Sequence, residues 1–189
     1  METVNKDEFL SKKHFMITKL RQAIYVYPTD TIYGIGCNAE EADQVSKIRE
    51  LKQRADMPFS VIAPSKEWIK DNCEVDEKAR GWIEKLPGPY TLILKLKNKG
   101  AVASTVNIGK STLGVRIPDN WFSMMVAQAG VPVITTSANV AGRDFMTCPE
   151  DLDSDIKKGV DYLIDDGTIN GKPSTLVFLD KESVDLKER

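Results

Sequence analysis

Apolar residues recur every three or four positions in several stretches, and short apolar runs separate these stretches. The first pattern is typical of amphipathic helices, and runs rich in β-branched and aromatic residues are typical of strands. We expect helices over residues 7–22, 38–51, 66–71, 76–86 and 120–129, with a weak helix over 149–158. We expect strands over residues 23–27, 59–63, 90–96, 112–117, 131–136, 162–164 and 175–179.

Polar residues at the predicted helix starts match the preferences of N-cap positions. Asn5, Ser65 and Asn120 each precede a predicted helix, and an N-cap side chain accepts a hydrogen bond from the first turn. Asn38 and Glu41 have the spacing of a capping box, which predicts that the second helix begins at Asn38.

The order of these elements predicts the fold class. Strands and helices interleave, but several connections between strands are too short for a helical crossover. A mixed sheet with helices on its faces fits better than a regular doubly wound sheet, so we expect an α/β (α+β) fold. At 189 residues without an internal repeat or linker, the chain is expected to form one domain over residues 1–189.

Composition excludes several classes of site. A formal net charge of −2 gives no general attraction to nucleic acid or anionic membranes. His14 is the sole histidine of the sequence, which argues against a zinc site of histidine and cysteine and against a Ser-His-Asp triad. Cys37, Cys73 and Cys148 form no CxxC pair, and together with a polar start they favour reduced thiols in the cytoplasm. No apolar run of the sequence has the length of a membrane span.

Three separated stretches carry the candidate chemistry. Residues 29–36 form a hydroxyl- and glycine-rich segment, Lys52 and Arg54 follow a helix, and residues 137–139 follow an apolar strand. Together they would form an anion-binding cleft, with lysine as a point charge and arginine as a fork. Taken singly, the cations fit a solvated charged face shared with Arg49 and Glu50, and residues 137–139 fit an ordinary turn.

Two further groups of polar residues allow two interpretations each. Arg116 lies in an apolar strand and needs a partner, either a substrate carboxylate or a structural salt bridge to Asp119. Asp165 and Asp166 precede Gly167, which favours a turn over a metal site. The GxG at residues 34–36 lacks the third glycine of a dinucleotide-binding fingerprint.

The motifs, taken in order, resemble those of the YrdC-like family of L-threonylcarbamoyladenylate synthases, and the resemblance covers about residues 20–180. They read YPTDTIYGIGCNA, KQR, PGPYTLILK, TLGVRIP, TTSANVAGR and IDDGTINGKPSTLVFL. The resemblance implies the YrdC-type fold, which is a twisted mixed sheet around a deep electropositive cleft.

The resemblance also implies a nucleotidyltransferase. The enzyme would join L-threonine, bicarbonate and ATP into threonylcarbamoyl-AMP with release of pyrophosphate, and Mg²⁺ would accompany the nucleotide. The product would pass to a transferase that modifies the adenosine next to the anticodon of tRNAs reading ANN codons.

Site residues follow from the same motifs. The resemblance implies that L-threonine is bound by Thr31, Arg116, Thr135 and Ser174. It implies that ATP and its phosphates are bound by Lys52, Arg54, Thr112, Ser137 and Asn139. Lys52 and Arg54 would be the catalytic cations, and no metal ligand is assigned.

Departures from the family pattern keep two alternatives open. The segment after Arg54 is one residue shorter, FMT at residues 145–147 replaces SPT, and Arg189 is the sole candidate for an arginine after the last strand. One alternative is a double-stranded RNA- or tRNA-binding module on the same fold, with Lys95, Lys97, Lys99 and Lys110 as its local basic cluster. The other is a divergent nucleotide-binding paralogue that lacks this activity.

Overall fold

Ten strands form one twisted mixed sheet in residues 1–188, the part of the chain that this computed structural model describes. Their bounds are β1 Glu2–Asn5, β2 Tyr25–Tyr27, β3 Gly34–Gly36, β4 Ser60–Ile62, β5 Tyr90–Lys95, β6 Thr112–Arg116, β7 Val133–Ser137, β8 Tyr162–Asp165, β9 Thr175–Phe178 and β10 Asp185–Lys187. Arg189, the candidate arginine after the last strand, lies outside the described residues.

Eight α-helices accompany the sheet in the same range. They are α1 Lys6–Ser11, α2 Lys13–Leu20, α3 Ala42–Leu51, α4 Lys66–Asn72, α5 Glu77–Glu84, α6 Ser104–Asn107, α7 Trp121–Ala129 and α8 Ser154–Lys157. A 3₁₀ turn covers Pro149–Asp151. Within residues 1–188, no helix combines the length and the apolar character that a membrane crossing requires.

The sheet contains both parallel and antiparallel pairs, and its strand order is β1-β8-β2-β3-β7-β4-β6-β5-β9-β10. In its middle, β3 and β4 both pair antiparallel with β7, and β4 pairs parallel with β6. The predicted mixed sheet is therefore confirmed.

Both faces of the sheet are buried. Successive residues of β2 and β7 point to opposite sides, so Val26 and Ile134 join one hydrophobic cluster while Tyr27 and Val133 join the other. In the second cluster the Tyr27 ring stacks on Phe122 of α7 at a centroid distance of 4.7 Å. Helices on both sides explain why these strands are continuous apolar runs rather than alternating ones.

The amino-terminal half differs from the sequence prediction in two places. The helix expected over 7–22 is two helices, because Lys12 leaves helical geometry between them. Asn5 does cap the first of these, in a capping box with Glu8. Asn38 does not begin α3: its backbone bridges Val133, its side chain accepts a hydrogen bond from the Glu40 amide at 3.1 Å, and the helix starts at Ala42.

The sequence prediction missed four short elements, β1, β3, β10 and α6. In β1 only Val4 is buried, and the side chains of β10 are exposed, so neither strand shows an apolar alternation. The sequence of β3 is Gly-Ile-Gly, which lowers its strand propensity.

Gly36 lets β3 approach β7 closely. A Cβ atom at this position would overlap the Ile134 carbonyl oxygen and would lie 3.0 Å from the Tyr27 ring. The Tyr27 hydroxyl donates a hydrogen bond to that same carbonyl at 2.8 Å. The site loops attached to β2, β3 and β7 are thereby held at fixed positions.

We expect Gly36→Ala to lower the free energy of unfolding by more than about 3 kcal/mol, because the backbone of β7 cannot move away cheaply. The matched control is Gly81→Ala in α5, where a Cβ would meet no atom within 4 Å. That substitution should raise the free energy of unfolding by about 0.5–1 kcal/mol through helix propensity. Urea denaturation of both variants measures the difference, and equal stability of the two would contradict the packing described for Gly36.

Candidate functional site

A cleft with a volume of about 400 Å³ opens where the loops after β2, α3 and β7 meet the ends of β6 and β9. Eight of the nine predicted site residues line it: Thr31, Lys52, Arg54, Arg116, Thr135, Ser137, Asn139 and Ser174. No carboxylate side chain within residues 1–188 contributes to the lining. Three cations and several hydroxyls without a lining acid make the cleft suitable for an anion.

Thr112 is the predicted site residue that the structure separates from the others. It begins β6, whereas the cleft-lining Arg116 ends this strand, so roughly 13 Å of extended chain lies between them. Thr112 pairs with Lys95 of β5 and does not line the cleft. The geometry gives no support to a nucleotide contact at this residue.

Lys52 is almost fully buried and joins two sides of the cleft. Its ammonium donates to the carbonyl oxygens of Ser137 and Asn139, the latter at 2.6 Å. Its own carbonyl accepts a hydrogen bond from the Ala141 amide at 3.1 Å. Burial and, to a lesser extent, the nearby charge of Arg54 together lower the pKa of Lys52 to about 7. Lys52 thus fixes the segment after β7 and is readily neutralised near physiological pH.

Arg54 is half-buried and lacks an acidic partner among residues 1–188. Its guanidinium donates to the Thr136 hydroxyl at 3.4 Å and to the Pro58 carbonyl at 3.3 Å, and lies 5.6 Å from the Phe59 ring centre. Burial lowers the pKa of Arg54, but an arginine remains protonated in proteins. Its positive charge is therefore available to a bound anion.

Arg49 supports the site from α3, although one interpretation of the sequence placed it on a solvated charged face. Its guanidinium donates to the carbonyl oxygens of Met57 at 2.8 Å and Val106 at 2.9 Å, and packs 4.3 Å from the Phe59 ring centre. A solvated face does not describe Arg49, because backbone carbonyls bind its head group. Arg49 holds the loop that carries Arg54.

Arg116 forms a structural salt bridge, but its partner is Asp30 rather than Asp119. The guanidinium bonds the Asp30 carboxylate, and the two side chains are 6% and 10% exposed. Asp119 instead donates its backbone amide to Asp30 at 2.9 Å. Asp30 does not line the cleft, so it holds Arg116 from outside, while the buried Nε of Arg116 has no hydrogen-bond partner within residues 1–188.

Thr31 places a hydroxyl in the cleft. The Thr29 and Thr31 hydroxyl oxygens lie 2.8 Å apart, and the Thr29 oxygen also accepts the backbone amides of Thr31 at 3.1 Å and of Ile32 at 3.2 Å. The Thr31 oxygen accepts a hydrogen bond from Arg116 at 3.4 Å. The Thr31 hydroxyl therefore joins the β2–β3 loop to Arg116 and lines the cleft beside it.

The Asn139 amide uses its donor and leaves its acceptor without a partner in the described chain. Its amide NH₂ donates to the Arg143 carbonyl at 2.6 Å, which assigns the other amide atom as oxygen. That Oδ1 is buried and has no partner within the described chain. The atom that Asn139 leaves unsatisfied is therefore an acceptor, which does not suit direct contact with a phosphate oxygen.

The far wall of the cleft contains a second pair of hydroxyls. Ser174 contacts Thr91 across β9 and β5 at 2.8 Å, and both side chains are buried. The Tyr33 hydroxyl donates to the Gly167 carbonyl at 2.8 Å and accepts the Asp166 amide at 3.0 Å. These bonds tie the loop before β9 to the loop after β2.

The Asp165–Gly167 segment is a turn, as predicted. The Asp165 carboxylate accepts the Gly167 amide at 2.9 Å, and Gly167 has a φ of 71°. The described residues contain no group of three or more histidine, cysteine, aspartate or glutamate side chains placed to hold a metal ion.

The comparison with known proteins starts with a family model. Residues 19–187 match the model of the Sua5/YciO/YrdC family, which carries the description "Telomere recombination". A putative threonylcarbamoyl-AMP synthase of Methanocaldococcus jannaschii is 35% identical over 180 residues, which cover 94% of this chain and 82% of the relative.

Two solved structures are also similar to this chain. The P. abyssi Sua5 structure complexed with L-threonine has a TM-score of 0.84 at 26% identity, and the match covers 98% of this chain but 56% of Sua5. E. coli YciO has a TM-score of 0.85 at 25% identity, with 100% of this chain and 94% of YciO covered. Since the family model spans nearly the whole sequence, the chain belongs to the Sua5/YciO/YrdC family.

Proposed function

We propose that the protein is a threonylcarbamoyl-AMP synthase that uses L-threonine, bicarbonate and ATP. One observation carries the proposal: the cleft combines a paired, fixed guanidinium at Arg116 with an unpaired one at Arg54, and no acid lines it within residues 1–188. Two separate cations in one cleft suit an amino acid carboxylate and a polyphosphate. The name of the M. jannaschii relative and the L-threonine bound to P. abyssi Sua5 support the same activity.

Arg116 and Thr31 are the residues that we assign to the amino acid. The guanidinium, with its unsatisfied Nε, would bind the threonine carboxylate, and the Thr31 hydroxyl would hydrogen-bond the bound amino acid. Thr135 and Ser174 line the same cleft and remain assigned to threonine. Because Asp30 already orients Arg116, little ordering is needed when threonine binds.

Lys52, Arg54 and Ser137 are assigned to the phosphates. The neutral threonine amine attacks CO₂ and releases a proton to solvent, or attacks bicarbonate with loss of water, and either route gives the carbamate. A carbamate oxygen then attacks the α-phosphorus, and the bond from this phosphorus to the bridging oxygen breaks as pyrophosphate leaves. Such a transfer requires alignment and neutralisation of charge rather than a protein nucleophile. A cleft that provides cations and hydroxyls matches this requirement.

Mg²⁺ has no carboxylate ligand in the described lining of the cleft. Protein-bound Mg²⁺ is usually held by one or two carboxylates together with substrate phosphates. The lining therefore does not form a magnesium site of its own, and a Mg²⁺ ion that accompanies ATP would depend on the phosphate oxygens. Asn139 Oδ1 is the unsatisfied neutral oxygen that the lining offers.

Delivery of the product to a tRNA-modifying threonylcarbamoyl transferase belongs to the proposal, as does a cytoplasmic location. The three cysteines are unpaired, which fits a reducing compartment. A divergent nucleotide-binding paralogue remains the second candidate, because E. coli YciO, named as uncharacterised, matches over the whole of this chain.

We expect the protein to release pyrophosphate from ATP in a reaction that requires both L-threonine and bicarbonate. L-serine, which lacks the methyl group, should support less turnover because the cleft loses an apolar contact. A coupled pyrophosphate assay measures the rates. Nucleotide binding without threonine-dependent release would favour the paralogue over the synthase.

We expect Asp30→Asn to raise the KM for L-threonine by at least about tenfold and to leave the KM for ATP within twofold. The loss of one charged hydrogen bond to Arg116 frees the guanidinium, at a cost of about 1.5–3 kcal/mol. Asp153→Asn is the matched control, because Asp153 also bonds an arginine and its side chain is 10% exposed like that of Asp30. Tighter threonine binding in Asp30→Asn would show that Asp30 competes with the substrate carboxylate.

We expect the protein to take up about one proton when ATP binds at pH 8. Lys52 has a pKa of about 7 and is mostly neutral at this pH, and a bound polyphosphate raises the pKa so that Lys52 becomes protonated. Calorimetry in buffers of different ionisation enthalpy counts the protons. Lys52→Met should abolish the uptake, whereas Lys99→Met, on the exposed β5–β6 connection, should not. Equal proton uptake by the wild type and Lys52→Met would exclude Lys52 as the titrating group.

A further inference from the structure

The sheet ends at β10, and one side of this strand is open. β10 is the last strand in the strand order and, within residues 1–188, pairs only with β9, in antiparallel orientation. Its three residues, Asp185, Leu186 and Lys187, are all exposed. The outward N–H and C=O groups of an edge strand can pair with a further strand. The edge at β10 is therefore available for strand addition.

The side chains of β10 divide into an apolar side and a charged side. Leu186 lies opposite Val177, which is buried in a hydrophobic cluster, yet Leu186 itself is 55% exposed. Asp185 and Lys187 point to the other side of the sheet. Neither of these two charges forms an ion pair within the described chain. The apolar face of the sheet thus continues to an uncovered leucine that lies between two unpaired charges of opposite sign.

We propose that β10 pairs antiparallel with β10 of a second copy of this chain, around a two-fold axis at Leu186. In this register Asp185 of each copy lies opposite Lys187 of the other, and the two Leu186 side chains meet at the axis. Each contact between different residues occurs twice, as an isologous interface requires. The two ten-stranded sheets then form one continuous sheet across the dimer.

The charge pattern selects this register among those that the backbone allows. Alternate residues of an edge strand direct their N–H and C=O groups outward, so hydrogen bonding places the two-fold axis at a residue rather than between two residues. An axis at Asp185 would place Asp185 opposite its own copy, and an axis at Lys187 would do the same with Lys187. Like charges directly opposite each other are destabilising. Within β10, the axis at Leu186 is the one that pairs opposite charges.

A second copy fits this edge better than an unrelated strand does. Lysine on an edge strand usually opposes strand addition, but here the same strand supplies the aspartate that neutralises it. At the opposite edge of the sheet, β1 reads Glu-Thr-Val-Asn and carries no opposite charge to match Glu2. A three-residue edge is small beside a standard interface of roughly 1,600 Å², so we expect a weak and reversible dimer.

Sedimentation equilibrium of the 189-residue chain measures the association. The apparent molar mass should rise with concentration from 21.1 kDa toward twice this value. Asp185→Lys and Lys187→Asp should each raise the dimer dissociation constant at least about tenfold, because both cross-strand pairs then contain like charges. Glu2→Lys is the matched control, an exposed charge reversal on β1, and should leave the constant within about twofold.

A mixture of the two β10 variants tests the register itself. Asp185→Lys presents two lysines and Lys187→Asp presents two aspartates, so one chain of each restores two opposite-charge pairs. We expect the equimolar mixture to dimerise at least as tightly as the wild type, although each variant alone is mostly monomeric. Recovery in the mixture also shows that both variants are folded.

Three results would overturn the proposal. The first is a wild type that stays monomeric up to about 0.5 mM, which would leave the edge to a strand of another protein. The second is self-association that Glu2→Lys weakens as much as Asp185→Lys does, and the third is a mixture that stays monomeric. No β10 residue lines the cleft, so turnover per chain should be the same in the wild type and both β10 variants. The dimer and the proposed function are thereby tested separately.

Discussion

The buried ammonium of Lys52 connects the end of α3 to the end of β7 and to the loop that follows. Two backbone carbonyls surround a charge that burial makes costly, and the pKa near 7 reflects this cost. A polyphosphate would relieve the cost by supplying an opposite charge. The same interaction that shapes the cleft therefore gives it an intrinsic preference for an anion, and Arg54 beside it adds a second unpaired charge.

The sheet determines where the remaining groups lie. Helices cover both faces, so ligands have access at strand ends and loops rather than at a face. Gly36 brings β3 close to β7, which places the hydroxyls of the β2–β3 loop beside Arg116 at the end of β6. Asp30 on that same loop completes the pair with Arg116. The paired guanidinium of Arg116 and the unpaired one of Arg54 thus lie in one cleft of about 400 Å³.

Most of the fold could be predicted because apolar periodicity is a local property of the sequence, and most of the cleft residues could be predicted because their motifs resemble those of the family. Partners across long sequence separations could not be predicted. Asp30 rather than Asp119 bonds Arg116, and Arg49 is surrounded by carbonyl groups, which any residue can supply. Thr112 lies outside the cleft because it begins β6, whereas Arg116, which lines the cleft, ends this strand. Met57 and Phe145 are exposed and line the cleft, and this position could not be predicted because single exposed apolar residues are common on protein surfaces.

The most direct test of the central claim is to identify the product of a reaction that contains ATP, L-threonine and ¹³C-labelled bicarbonate. If the cleft joins a threonine bound at Arg116 to the α-phosphate of ATP, mass spectrometry will detect threonylcarbamoyl-AMP that carries one ¹³C atom. Unlabelled product would place the source of the carbamoyl carbon elsewhere. Absence of any adenylate, in protein that binds both threonine and ATP, would contradict the account.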